Sequence, residues 1–160
     1  MVKVWKIMKT ISNEPPTYFS PSISQVVRDH YVSLFPEEAC GVICADPKGH
    51  VSYMPLPNVA LQDRCRSFEM KKSDVLALCL KSRHQGLKML AWVHSHPQGK
   101  NEASAHDRAF WWAENDWLWP GMDQIVLWPQ DAEVLQMSIY GPKTQRYRPL
   151  PYWQGPLKRL

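Results

Sequence analysis

The chain has 160 residues, which is the length of one ordinary domain. Its content of 44% hydrophobic and 21% charged residues is typical of a globular protein and excludes a disordered chain. The formal net charge of +4 belongs to the two ends, because residues 11–140 hold 11 basic and 15 acidic residues and carry a net charge of −4. An acidic body argues against a nucleic-acid partner.

Neither a membrane span nor a secretory leader is predicted. The longest apolar run, residues 75–80, is far shorter than the roughly 20 residues of a membrane helix. Lysines interrupt the first nine residues, which therefore lack the apolar core of a signal peptide. We expect a cytoplasmic protein without a membrane partner. Its cysteines contain no Cys-x-x-Cys pair and are expected to be buried free thiols: Cys40, Cys44, Cys65 and Cys79.

The first predicted element is a helix that begins at Ser20 and Pro21 and ends before Pro36. Ser is a preferred N-cap, and Pro is preferred at the first helical position. Apolar residues recur after them at helical spacing, so we expect one stripe of this helix to face the core. The stripe consists of Ile23, Val26, Val27, Tyr31 and Leu34.

A β-hairpin follows, with strands over 40–45 and 50–54 joined by the Asp-Pro-Lys-Gly turn of residues 46–49. The hairpin leads into a loop over 55–66. A short strand is predicted over 68–70, where the chain reads Phe-Glu-Met.

The remaining elements alternate between helix and strand. Ser73 and Asp74 are expected to cap a second helix that Gly86 closes. A central strand over 88–93, a third helix over 104–114, and strands over 124–128 and 133–140 complete the prediction. This order predicts an α/β (α+β) domain over residues 1–140, with one mixed sheet flanked by helices, and residues 141–160 as a basic, Pro- and aromatic-rich extended tail.

One stretch of the chain has the pattern of a metal site. His94 and His96 follow the central strand two residues apart, so both imidazoles leave the same face. Asp107, in the first turn of the third helix, is a candidate third ligand. Three protein ligands leave a fourth position open, which is the pattern of a catalytic zinc site, although two imidazoles and a carboxylate also suit Mn²⁺, Fe²⁺ or Co²⁺.

Such a site also needs a base, and here the residues leave alternatives open. Glu37 and Glu38 both precede the first strand, and either carboxylate is a candidate general base. Ser104 and Asp107 have the spacing of a helix capping box, which would explain them without any metal. Each histidine alone would also be an ordinary structural residue.

Taken together, these residues resemble the signature of the JAB/MPN+ (JAMM) metalloprotease family. The residues are Glu38-Ala39-Cys40-Gly41, His94-Ser95-His96-Pro97, Ser104 and Asp107. The resemblance covers about residues 20–140 and implies the JAB/MPN-like, cytidine-deaminase-like fold. It implies that His94, His96 and Asp107 bind one Zn²⁺ ion, that Glu38 is the general base, and that Ser104 stabilises the oxyanion of the intermediate.

The resemblance implies a zinc-dependent peptidase or isopeptidase whose partner is a protein substrate, such as the C-terminus of a ubiquitin-like protein. Two prokaryotic branches fit: standalone JAB peptidases of the bacterial cytoplasm, and the JAB domain of the phage tail assembly protein K group. In the second case the alternative function is that of a virion tail component that uses the fold for protein contacts. Four tryptophans and the tail at 141–160 are the predicted docking residues: Trp111, Trp112, Trp117 and Trp119.

Overall fold

The structure is a computed structural model that describes residues 16–99, 102–113, 116–131, 134–141 and 150–154. For residues 112, 113, 116, 117 and 150–154 it describes the backbone alone. The helices within these ranges are α1 (Pro21–Leu34), α2 (Lys72–Gln85) and α3 (Ala105–Trp111). The strands are β1 (Cys40–Ala45), β2 (Val51–Leu56), β3 (Lys88–Ser95), β4 (Trp112–Ala113), β5 (Asp116–Trp117), β6 (Asp123–Pro129), β7 (Val134–Tyr140) and β8 (Leu150–Gln154).

Six strands form one mixed sheet in the order β2-β1-β3-β6-β7-β8. β3 and β6 are parallel, and the other neighbouring pairs are antiparallel. In the register of β1 and β3, Cys40 lies opposite His94. The start of β1 and the end of β3 therefore lie side by side at the same end of the sheet. This arrangement brings the segment around Glu38 to the two histidines.

Both faces of the sheet are covered. Because side chains alternate along a strand, Ile43 of β1 packs on the side of α1, whereas its neighbour Val42 packs on the side of α2. The same alternation separates Val93 from Trp92 in β3. The predicted α+β architecture with helices on both faces of a mixed sheet is confirmed. No helix among the described residues is long and apolar enough to cross a membrane.

The helix-start signals were accurate for α1 and less so for α2. The Ser20 hydroxyl accepts a hydrogen bond from the Ile23 backbone N–H, as expected of an N-cap, and Pro21 is the first helical residue. Val26 is 49% exposed, so the predicted apolar stripe is too wide by this residue. α2 begins at Lys72 with no side-chain cap, one residue before the predicted cap, while Gly86 ends it in the left-handed region at φ 64°.

The predicted strand over 68–70 is wrong, because this segment belongs to a loop. Its Phe68 side chain turns inward, and its backbone is held by the neighbouring part of the same loop, where the Val59 N–H donates to the Glu69 carbonyl. Hydrogen bonds between distant residues of a loop leave no periodic pattern in the sequence. The expected burial of all four thiols is also wrong, since Cys79 is exposed on α2.

The structure bears on two expectations about docking residues, and the sequence leaves open whether the tail docks a partner or packs on its own domain. Residues 150–154, predicted to lie in an extended tail, form β8 and pair with β7 at the edge of the sheet. Trp111 is fully buried beside Val126 and Tyr140, because α3 turns it into the core, so it is not a docking residue. Trp119 is partly buried against Phe110, and the side chains of Trp112 and Trp117 lie outside the described residues.

Candidate metal centre

The two histidines meet at the end of the central strand. His94 lies in β3, and His96 comes directly after the strand, with its backbone N–H bonded to the Leu127 carbonyl of β6. Their Nε2 atoms are 3.1 Å apart. The exposed fraction is 3% for His94 and 7% for His96. The prediction that both rings leave the same face of the strand is confirmed.

Asp107 completes this cluster from the first turn of α3. Its Oδ1 atom lies 3.3 Å from the His94 Nε2 atom, and its Oδ2 atom lies 3.3 Å from the His96 Nε2 atom. Donor atoms of the three side chains all fall within 4.8 Å of one another. The structure therefore brings together all three residues that the sequence proposed as ligands.

The donor atoms are close enough together to contact one small cation. Ligands that are 2.0–2.1 Å from a tetrahedral Zn²⁺ ion are about 3.3 Å from each other. The two Nε2 atoms are 3.1 Å apart, and each lies 3.3 Å from one oxygen of the Asp107 carboxylate, Oδ1 for His94 and Oδ2 for His96. Two imidazole nitrogens and a carboxylate oxygen are also a donor set that zinc accepts. The residues present therefore fit the metal that the sequence implied, and His94, His96 and Asp107 would hold it.

The protonation states favour metal binding. Burial acts to raise the pKa of Asp107, but His94, His96 and the Ser104 amide hold it well below its ordinary value, so the carboxylate is ionised. Burial lowers the pKa of His94, so the imidazole is neutral at neutral pH. Ionised carboxylates and neutral imidazoles are the forms that bind metal ions.

Glu38 lies next to this cluster, at the start of β1. Glu38 is buried, with only 4% of the residue exposed. Burial, with added repulsion from Asp107 and Asp63, raises the pKa of Glu38 to about 7, although His96 opposes the shift. The neighbouring Glu37 is half-exposed and has an ion pair with Arg64, 3.9 Å away.

Ser104 is the residue before α3 and lies at the rim of the site. Its hydroxyl oxygen accepts the Asp107 backbone N–H at 3.0 Å, and its own backbone N–H donates to the Asp107 Oδ2 atom at 2.7 Å. Among the described residues, none accepts the hydroxyl proton of Ser104. Ser104 is exposed, so that proton is available to a bound molecule.

A surface cavity of about 340 Å³ opens onto the cluster and is lined by Glu38, Cys65, Arg66, His96, Gln98, Glu102, Ala103 and Ser104. A smaller cavity of about 30 Å³, the volume of roughly one water, touches Glu38, His96, Ser104 and Asp107. The five residues singled out from the sequence therefore belong to one local site.

Sequence reasoning missed the loop that covers the histidines. The Phe68 ring stacks on the His94 ring, with the centroids 4.6 Å apart. Across the cavity mouth, the Arg66 Nε atom donates to the Gln98 side chain at 3.2 Å. Neither contact has a local pattern that would reveal it, because each joins segments more than 25 residues apart.

A family model described as prokaryotic homologs of the JAB domain matches residues 20–139. The chain therefore belongs to this family, which confirms the resemblance seen in its motifs. A comparison with curated proteins found no match.

Two solution structures share the fold at low sequence identity. A protein from Desulfitobacterium hafniense is 23% identical with a TM-score of 0.54, over 75% of this chain and 81% of that one. A protein from Salinibacter ruber is 22% identical with a TM-score of 0.51, over 88% of this chain and 95% of that one. At these identities the likeness shows the fold alone.

Proposed function

We propose that the protein is a zinc-dependent metallopeptidase or isopeptidase of the JAMM type. One observation carries the proposal: the donor atoms of His94, His96 and Asp107 converge within 4.8 Å of one another beside a cavity that also holds a buried carboxyl group and an exposed hydroxyl group. A capping box and two buried histidines would not need this carboxyl group or this cavity. The combination is what hydrolysis of an amide bond requires.

The metal and the base divide the chemistry between them. His94, His96 and Asp107 would hold the zinc ion, which would supply a water of pKa about 7 and polarise a substrate carbonyl. Glu38 takes a proton from the attacking water on its carboxylate and returns it to the leaving amine. Burial raises the pKa of Glu38 in the metal-free protein, and a carboxylate of raised pKa is a better proton acceptor than an exposed one.

Ser104 contributes a hydrogen bond donor. Its hydroxyl oxygen accepts the Asp107 N–H and lines the cavity, so the hydroxyl proton can be donated to a ligand there. Donation to the carbonyl oxygen as negative charge develops there would stabilise the transition state by about 3 kcal/mol. The same serine would thus act as a helix cap and as an oxyanion donor.

The substrate is proposed to be the flexible end of a protein, such as the C-terminal tail of a ubiquitin-like protein or its conjugate to a lysine. A cavity of about 340 Å³ accommodates only a few residues in an extended conformation. His94, His96 and Asp107 are all buried, so a flexible tail reaches them more readily than a folded surface does. We expect this reaction to take place in the bacterial cytoplasm.

The alternative is a phage tail component that uses the fold for protein contacts. This alternative depends on docking through the tryptophan cluster. One member of that cluster, Trp111, is buried in the core instead. Nothing in the described residues favours this alternative over hydrolysis, and it remains a prediction.

The adjacent residues Glu37 and Glu38 allow a matched test. The purified 160-residue chain is assayed for zinc by mass spectrometry and for cleavage of a lysine-linked isopeptide made from a ubiquitin-like tail. Glu38→Gln is expected to keep about one zinc per chain and to lower kcat by on the order of 10²–10⁴. Glu37→Gln is expected to keep both zinc and activity, because its side chain faces solvent and Arg64. Wild-type protein that binds no metal would refute the proposal.

A further inference from the structure

The loop that covers the histidines is organised around one buried amide side chain, that of Asn58, which is 8% exposed. Its Nδ2 group donates to the Glu38 carbonyl at 3.1 Å and to the Ser67 carbonyl at 3.0 Å. Its Oδ1 atom accepts the Ala60 N–H at 3.1 Å and the Glu69 N–H at 3.2 Å. Two donors and two acceptors are the full capacity of an amide side chain.

These four bonds connect the two halves of the proposed active site. Ser67 and Glu69 are the residues on either side of Phe68, so Asn58 fixes the backbone that carries the Phe68 ring. That ring stacks on His94 at 4.6 Å. Through its remaining donor, Asn58 also holds the carbonyl of Glu38.

The Glu38 backbone is tied to the same loop a second time, because its N–H donates to the Arg64 carbonyl at 2.7 Å. The backbone N–H and C=O groups of Glu38 are thus both hydrogen-bonded to the loop that carries Phe68. A shift of the loop would move the carboxyl group of Glu38 and the packing surface of His94 together.

We propose that Asn58 is a positioning residue that sets the Glu38 carboxyl group in register with the His94 ring. This inference rests on the proposed function, since it assigns Asn58 to the geometry of that site. Asn58 does not touch substrate or metal and acts through Glu38 and Phe68. Displacing a base by about 1 Å is enough to lower a rate on the order of 100-fold, so such an anchor has catalytic consequences.

The test variant is Asn58→Asp, which keeps the size of the side chain and both acceptors but loses both donors. Zinc content is expected to stay at wild-type level. Turnover of the isopeptide substrate is expected to show a kcat lowered by about 10- to 100-fold with KM changed by less than about threefold.

A second readout does not depend on activity. The His94 ring protons lie under the Phe68 ring, so their NMR signals are expected to be shifted upfield in the wild-type protein. Asn58→Asp should reduce this shift and Phe68→Leu should remove it. If Asn58→Asp does not fold, Phe68→Leu provides the test, because it removes the ring through which Asn58 is connected to His94.

The matched control is Ser67→Ala. The Ser67 hydroxyl donates to the carbonyls of Gln62 and Asp63, so this variant removes a side-chain contact of the loop while all four hydrogen bonds of Asn58 stay in place. Ser67→Ala should change neither kcat nor the upfield shift of the His94 ring-proton signals by more than about twofold.

Two outcomes would overturn the inference. One is an active, zinc-loaded wild type whose Asn58→Asp variant has an unchanged kcat. The other is a His94 ring shift that neither Asn58→Asp nor Phe68→Leu changes, and this result counts even if the wild type cleaves nothing. An inactive wild type with the expected NMR shifts would instead refute the proposed function and leave the positioning of the ring by Asn58 supported.

Discussion

Ser104 and Asp107 exchange two hydrogen bonds, at 2.7 and 3.0 Å, while the same Asp107 carboxylate lies 3.3 Å from each histidine. The capping box and the metal ligand set are therefore the same residues in one arrangement. The cap fixes the carboxylate on the α3 backbone, and this orientation aims its oxygens at the histidines. A ligand that is oriented before binding loses less conformational freedom when the metal binds.

The double role of Ser104 can be separated by substitution. Ser104→Ala should cost about 1 kcal/mol of stability as a lost cap and lower kcat on the order of 100-fold as a lost oxyanion donor. Ser104→Thr keeps the hydroxyl group and should retain most of both. Ser20→Ala is the matched control, because it removes the cap of α1 far from the site. Denaturant titration and turnover measure the two effects, and full activity in Ser104→Ala would reduce the serine to a cap.

Chelation should destabilise the zinc-loaded protein. A metal that binds the folded chain alone adds about 4 kcal/mol at a thousandfold excess over its dissociation constant. Adding EDTA should therefore lower the Tm of the wild type and leave that of His94→Ala unchanged. The control His84→Ala alters an exposed histidine in α2 and should respond as the wild type does. Equal Tm values with and without chelator would contradict a bound metal.

The metal-free protein should carry a pH signature of Glu38. Burial raises the pKa of Glu38 from 4.5 to about 7, so the folded state binds this proton more tightly than the unfolded chain. The resulting stability is complete below about pH 4.5 and is lost as the pH rises through about 7. The free energy of unfolding of the wild type, relative to Glu38→Gln, should fall by about 2.5 kcal/mol between pH 5 and pH 8.

Urea titrations in the presence of chelator at both pH values measure this difference. Comparing the two proteins removes the pH dependence that both share, such as the titration of exposed groups far from Glu38. A difference that does not vary with pH would mean that Glu38 ionises freely in the folded state.

Trp111 should behave as a core residue. Its side chain is fully buried next to Val126 and Tyr140, and its ring centroid is 6.1 Å from that of His94. Trp111→Ala should cost about 3–5 kcal/mol in a denaturant titration, because it leaves a cavity. Leu118→Ala, at a residue that is 46% exposed, should cost far less. A loss below about 1 kcal/mol for Trp111→Ala would indicate that this tryptophan is not part of the core.

Elements with local signals could be predicted from the sequence. The N-cap at Ser20, the hairpin turn at 46–49 and the left-handed Gly86 act within a few residues, and the structure contains all three. The contacts of Asn58 reach residues 9 and 20 positions away, and β8 pairs with a strand that precedes it by more than ten residues. Contacts of this length have no periodic pattern, so the loop and the last strand could not be predicted.

For the site, the sequence by itself determined which side chains were available. Strand periodicity places His94 and His96 on one face, and the capping spacing places Asp107 one turn into a helix. The tertiary structure alone decided that the docking of α3 brings the Asp107 carboxylate to 3.3 Å from both rings. It also distinguished two adjacent carboxylates: Glu37 lies in the turn after α1, where its N–H donates to the Leu34 carbonyl, and faces Arg64 and solvent, whereas the Glu38 N–H is bonded to the Arg64 carbonyl and its side chain lines the cavity.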